Sequence, residues 1–254
     1  MQREAAPVVL LHGVGLDSSM WDALIGSGAL TAREAIAVDL PGHGARPPLR
    51  RTTALAEMAD DVAERLPPRA HLVGFSLGAL VAQELAARMP ERVLSLVCVS
   101  SVCERTEDEA AAVRARLETA RGDFAASADA AVERWFPPPS SVPAEQIERI
   151  RTVLLANDHE SYLHAYEVFA FGDRDAARAL PLISAPTLAV TGSDDPGSTP
   201  DMTLRLSRQI PGARAYIFEG ARHMLPVERP QELGRVIAEF LDDSERKIHH
   251  VNPA

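Results

Sequence analysis

The sequence predicts an α/β fold: a mostly parallel central sheet flanked by helices, with a helical segment inserted into it. Short aliphatic and β-branched runs alternate with helical patterns along both ends of the chain, the signature of parallel strands covered on both faces. That alternation stops from Glu104 to about Leu180, where helical patterns follow one another with no strand between them. The length of 254 residues, 46% of them hydrophobic, suits one large core of this kind. The expected division is therefore a first core part at 1–103, a helical cap insertion at 104–180 and a second core part at 181–254.

The strands are expected at Val8 to Leu11, Ala35 to Asp39, His71 to Phe75, Val93 to Ser100, Thr187 to Thr191 and Ala213 to Phe218. Between Thr53 and Leu66, Leu55, Met58, Ala59, Val62 and Leu66 fall at helical spacing, and Pro67-Pro68 stops the pattern. A second helix runs from Leu77 to Met89. A last one runs from about Pro230 to Leu241, leaving a polar C-terminal tail that begins around Ser244-Glu245-Arg246-Lys247 and holds His249 and His250. Within the insertion, Thr106-Glu107-Asp108-Glu109 reads as a capping box opening a helix, and Pro137-Pro138-Pro139 breaks the segment in two.

Composition excludes several functions. A formal charge of -10 and an isoelectric point near 5.3 argue against nucleic acid and anionic membrane as main partners, because both need a basic face. The N-terminal apolar run is too brief for a signal peptide, and no stretch reaches the roughly 20 apolar residues that span a bilayer. The expectation is a soluble, cytoplasmic protein acting on small molecules. There are 25 arginines and one lysine, Lys247. Phosphate-loop nucleotide hydrolysis and pyridoxal chemistry therefore lack their lysine. Cys98 and Cys103 read as reduced structural residues. The histidines and cysteines do not fall at metal-ligand spacing, and His12 to Ser18 lacks the third glycine of a dinucleotide loop, so neither a metal nor a cofactor is implied.

The chemistry concentrates in Gly74-Phe75-Ser76-Leu77-Gly78, which follows an apolar strand and opens a helix. A Gly-x-Ser-x-Gly turn in that setting lifts the serine hydroxyl above the carboxyl edge of the sheet. A serine needs an imidazole to take its proton, and His223 follows the last strand in a loop on the same edge. His159 and His164 lie in the insertion, and His71 lies at the opposite edge of the sheet. The imidazole in turn needs an acid. The strand Thr187 to Thr191 runs into Ser193-Asp194-Asp195-Pro196, and Asp195 is preferred because Pro196 holds it extended while Asp194 suits a turn cap. Glu104 is the other candidate. An oxyanion needs two backbone N–H donors, for which Leu77 and Val14, in His12-Gly13-Val14-Gly15, are the candidates. His12, Asp39 and His43 read as organisers of their loops.

In order and spacing, His12-Gly13, Asp39-Leu40-Pro41-Gly42-His43-Gly44, the Ser76 turn, Asp195 and His223 with Pro226 to Pro230 resemble the α/β-hydrolase superfamily. Within it, Arg134-Trp135-Phe136, the stretch from His12 to Trp21 and Asp195-Pro196 look like the 3-oxoadipate enol-lactonase and small carboxylesterase branch. The resemblance implies a carboxylic ester hydrolase that cleaves a small, largely apolar ester or lactone through an acyl-serine intermediate. Trp135, Phe136, Tyr166 and Phe169 are its candidate substrate contacts, although packing of the insertion on the core would use the same aromatic residues. A dehalogenase or epoxide hydrolase of this fold would carry aspartate in place of Ser76. A cofactor-free haloperoxidase, a carbon-carbon bond hydrolase or a ligand receptor would keep the same three residues.

Overall fold

The computed structural model describes the chain from residue 5 to residue 251, with side chains to residue 247. Six strands form one parallel sheet: β1 Val8–Leu11, β2 Ala35–Val38, β3 Ala70–Phe75, β4 Val93–Val99, β5 Thr187–Gly192 and β6 Arg214–Phe218. Their order is β2-β1-β3-β4-β5-β6. The chain leaves β1 toward β2, then crosses back so that β3 lies on the other side of β1. The carboxyl ends of β1 and β3 thus flank a topological switch point, the crevice where open α/β sheets bind ligands.

All residues of β1, β3, β4 and β5 are buried, as continuous apolar runs in a sheet covered on both faces require. Alternate residues feed opposite cores. Val9 and Leu11 pack with α2 (Leu55–Ala63) and α3 (Leu77–Arg88), while Val8 and Leu10 pack with Trp21, Phe240 and Leu241. The edge strand β6 is largely exposed.

Between β4 and β5 stand five helices: α4 Glu107–Gly122, α5 Phe124–Trp135, α6 Ala144–Leu155, α7 His159–Phe171 and α8 Asp173–Ala179. A short α1, Asp22–Gly26, precedes β2. The capping box at α4 forms in both directions, with Glu109 N–H donating to Thr106 Oγ1 and Thr106 N–H to a Glu109 carboxylate oxygen. The prolines fall between α5 and α6.

Helix α9, Pro200–Gln209, was not among the sequence expectations. Its signal is nevertheless present: Thr199 caps Met202 N–H, and Met202, Thr203 and Leu206 recur at helical spacing on its buried face. A short α10, Leu225–Glu228, follows β6.

The last helix, α11, runs from Pro230 to Val251. The expected end at Leu241 is too early by nearly three turns. Ser244 is buried and donates to Phe240 O, and Glu245 accepts from the buried His71 ring at 3.0 Å and from Arg33 at 2.9 Å. His71 Nδ1 pairs in turn with Ser95 Oγ at 2.8 Å. The supposed tail is therefore tied to the amino edge of the sheet. The side chains of His249 and His250 lie outside the described residues.

Candidate active site

Ser76 sits at the tip of β3 with φ 52° and ψ -112°, a left-handed conformation that costs a non-glycine residue of order 1–3 kcal/mol. Its neighbours make that turn possible. A Cβ on Gly78 would lie 2.3 Å from Leu11 O and 2.5 Å from His12 O, and one on Gly74 would lie 2.3 Å from Gly78 O. Only glycine allows α3 to come this close to β1. Ser76 N–H donates to Val99 O across the sheet, and its carbonyl accepts the first bond of α3 from Ala79 N–H.

Leu77 is the first residue of α3, so its N–H has no intrahelical acceptor. The loop after β1 lies against the serine: a Cβ on Gly13 would stand 3.3 Å from Ser76 Cβ. That loop is fixed by His12, which is fully buried. Its Nε2 accepts from Leu40 N–H at 2.9 Å, so the proton is on Nδ1, which donates to Gly13 O at 2.8 Å. Burial lowers the His12 pKa to about 4, and burial followed by the charge of His12 lowers that of His43 to about 3. Asp39 accepts from Ser18 and Ala45 N–H groups; although burial opposes it, those bonds leave its pKa lowered. His12 and Asp39 thus tie the loops after β1 and β2 to each other, while His43 bonds within its own loop to Pro41 O.

His223 follows β6 and donates from Nδ1 to Asp195 Oδ2 at 2.7 Å. That bond leaves Nε2 as the free lone pair. Asp195 is 3% exposed. Its Oδ1 accepts from Gly197 N–H at 2.8 Å and Ser198 N–H at 2.9 Å, and its Oδ2 also accepts from Thr191 Oγ1 at 3.3 Å. Burial pushes its pKa up, but the charge and hydrogen bond of His223 and the two backbone donors outweigh it, and the pKa is lowered. Asp194 is exposed and accepts from Ser193 Oγ. Glu104 is exposed as well and faces a separate depression beside Arg105 and Arg174. The loop of His223 is braced by Ser100 Oγ on His223 O and by Asp194 N–H on Ala221 O. The imidazole also lies 4.9 Å from the Phe75 ring and 5.8 Å from the stacked Trp135 ring.

Ser76, His223, Asp195 and Val14 all line one cavity of about 90 Å³. Trp135, Tyr166 and Phe169 line it too, reaching in from α5 and α7. Among the described residues no hydrogen bond reaches Ser76 Oγ, and in unliganded sites of this type the serine-histidine contact often closes only with substrate. Phe136 is the exception among the expected contacts. It ends α5 with φ -129° and ψ 56°, and that departure from the helix turns it into a neighbouring depression with Pro137 to Pro139. Sequence reasoning passed over Arg116, Ser127 and Tyr162 as parts of this wall, and took Arg134 only as a mark of family resemblance. With Arg134, they form helical stripes: Arg116 with Thr119 on α4, Ser127 with Ala131 and Arg134 on α5, and Tyr162 with Tyr166 and Phe169 on α7. Cys98 and Cys103 are buried, and burial pushes both thiols up to about 12, leaving them unreactive.

A parallel sheet, a serine in a strained strand-to-helix turn and a histidine-aspartate pair on the same edge define a hydrolase fold. The chain belongs to the alpha/beta hydrolase family, whose model matches residues 8–236. It is 29% identical over 246 residues to the (E)-2-((N-methylformamido)methylene)succinate hydrolase of Acinetobacter baylyi, a match covering 95% of this chain and 92% of that one. It is 32% identical to the pimeloyl-[acyl-carrier protein] methyl ester esterase of Chromobacterium violaceum, covering 92% and 94%. The crystal structure of the enol-lactonase from Burkholderia xenovorans superposes with a TM-score of 0.80 at 27% identity, covering 95% and 94%. Two of these three relatives are named as enzymes of carboxylic esters or lactones, the methyl ester esterase and the enol-lactonase. Among the described residues no helix is long and apolar enough to cross a membrane.

Proposed function

We propose that the protein is a serine hydrolase that cleaves a small carboxylic ester or lactone through an acyl-Ser76 intermediate. The observation that carries this reading is the bond from His223 Nδ1 to Asp195 Oδ2, which leaves Nε2 free to act as a base in the cavity that Ser76 lines. His223 Nε2 takes the Ser76 Oγ proton as the oxygen attacks the carbonyl carbon. The N–H groups of Leu77 and Val14 hold the oxyanion. Collapse of the tetrahedral intermediate breaks the ester C–O bond, and the imidazolium gives its proton to the departing alcohol. Water then attacks the acyl-serine with His223 again as base, releasing the acid and restoring the serine.

In this reading the helical segment 104–180 is a cap that supplies the substrate wall through Trp135, Tyr166 and Phe169. Esterase, methyl ester esterase and enol-lactonase among the relatives support the bond type. Removing the serine should lower turnover of p-nitrophenyl acetate by about 10⁴-fold or more. If Ser76→Ala keeps a rate within about ten-fold of wild type, a loss far too small for a nucleophile, the assignment fails.

A further inference from the structure

Two guanidinium groups share the cavity with Ser76. Arg116 on α4 and Arg134 on α5 line it beside Trp135, Tyr162 and Tyr166. Among the described residues neither forms a salt bridge; Arg134 donates only to Ala130 O in its own helix, at 3.2 Å. The adjacent Arg105 is a telling contrast. It is paired with Asp173 at 2.8 Å, donates to the carbonyls of Phe169 and Ala170, and lies over the Phe169 ring. An internal acid neutralises the arginine beside the cavity, while the two arginines that line it have none.

Burial, and next the charge of Arg116, push the Arg134 pKa down, so the pair repels itself across the cavity wall. Guanidinium stays charged at any working pH, and the one carboxylate of the cavity whose charge reaches Arg134, Asp195, is already bonded to His223, so two partly desolvated cations share less than one counter-charge until an anion arrives. The chain as a whole carries -10, so a local cationic wall over the nucleophile is not a by-product of a basic surface.

We propose that the substrate is a short ester bearing a carboxylate, held by charge-assisted hydrogen bonds to Arg116 and Arg134 while Ser76 attacks the ester carbon. The inference rests on the reading of Ser76 as nucleophile and replaces the expectation of a largely apolar substrate. Size limits the substrate further. The part of the cavity beside Ser76, about 90 Å³, is smaller than the ~150 Å³ that takes up benzene, so the reacting ester end is small while the rest of the substrate can extend toward the cavity mouth.

The test measures kcat/KM by pH-stat for two matched pairs: monomethyl against dimethyl glutarate, and acetoxyacetate against its methyl ester. In at least one pair the anionic member should be favoured by about ten-fold or more. That ratio should fall by about ten-fold in the Arg116→Gln/Arg134→Gln double variant, with Arg134→Lys keeping part of the preference. Labelling by a neutral fluorophosphonate checks that the double variant retains its site. If it takes no label, inhibition of the wild type decides, glutarate being expected to inhibit below the concentration required of neutral glutaramide. No preference in either pair, a ratio unmoved by the double variant, or equal inhibition by the two glutaric compounds would overturn the proposal. Ser76-dependent turnover without charge preference overturns this inference alone, whereas absence of any Ser76-dependent turnover overturns the hydrolase reading as well.

Discussion

Replacing Asp195 by Asn exchanges one carboxylate oxygen for an amide nitrogen at a position where all the surrounding groups are donors. Gly197 and Ser198 N–H both point at Oδ1, so the amide oxygen of the variant must occupy that place. The NH₂ then stands where Oδ2 stood, 2.7 Å from His223 Nδ1, and donates to it. His223 is forced into the tautomer with its proton on Nε2, and the base that should accept the Ser76 proton is occupied. The imidazolium formed during attack also loses its counter-charge. Turnover should fall by about 10⁴-fold, equivalent to about 5 kcal/mol on the barrier. The fold should hold, because the oxygen keeps both backbone bonds. Asp194→Asn is the internal control: that side chain is exposed and bonded to Ser193 alone, and its effect should stay within about two-fold. Steady-state hydrolysis of p-nitrophenyl butyrate by both variants, with circular dichroism to verify folding, reads the outcome. An Asp195→Asn enzyme within about ten-fold of wild type, or an equal loss in Asp194→Asn, would refute the tautomer argument.

Two stability predictions follow from the loops around the site. His12 and His43 are buried and neutral, with folded pKa values of about 4 and about 3 against an unfolded value near 6.5. Below pH 6.5 the unfolded chain binds protons that the folded one does not, so stability declines as pH falls toward 4, by about 3 kcal/mol from His12 alone. Urea unfolding at pH 7 and pH 4.5 measures this loss; His12→Gln should flatten the dependence, and an unchanged profile would contradict the neutral assignment. Gly78→Ala drives a methyl into Leu11 O and His12 O, backbone atoms that cannot yield, and should destabilise the fold by at least about 1–3 kcal/mol while lowering turnover through displacement of α3. A melting temperature and rate equal to wild type would show that α3 can shift freely.

Much of the framework is local and was therefore legible. The four central strands β1, β3, β4 and β5 announce themselves as short apolar runs because a sheet covered on both faces buries every side chain in them, while β2 and β6 at the edges keep enough of the pattern to be recognised. The Ser76 turn is legible because its constraint is local too: glycine at both flanks, a strand before and a helix after. His223 could be singled out by chain order. Other features could not be read from neighbours in sequence. Trp135 and Phe136 are adjacent and equally aromatic, yet one lines the cavity and the other does not, because α5 ends between them. The last helix was cut short at Leu241 because Ser244 to Lys247 look polar; Ser244 and Glu245 find partners in Phe240, His71 and Arg33, two of them far away in sequence.

The sequence by itself determined the α/β class, the strand order along the chain and the serine turn, since apolar periodicity and glycine sterics act over a few residues. Local sequence favoured Asp195 over Asp194 through Pro196, but it is the tertiary structure that sets that carboxylate against His223, twenty-eight residues away. It also decided that Arg116 and Arg134 line the same cavity as Ser76 while Arg105 is neutralised by Asp173. A helix pattern tells which residues share a face, but only the packing of α4, α5 and α7 against one another decides what that face looks upon, and charge in a cavity depends on partners that the chain brings together from a distance.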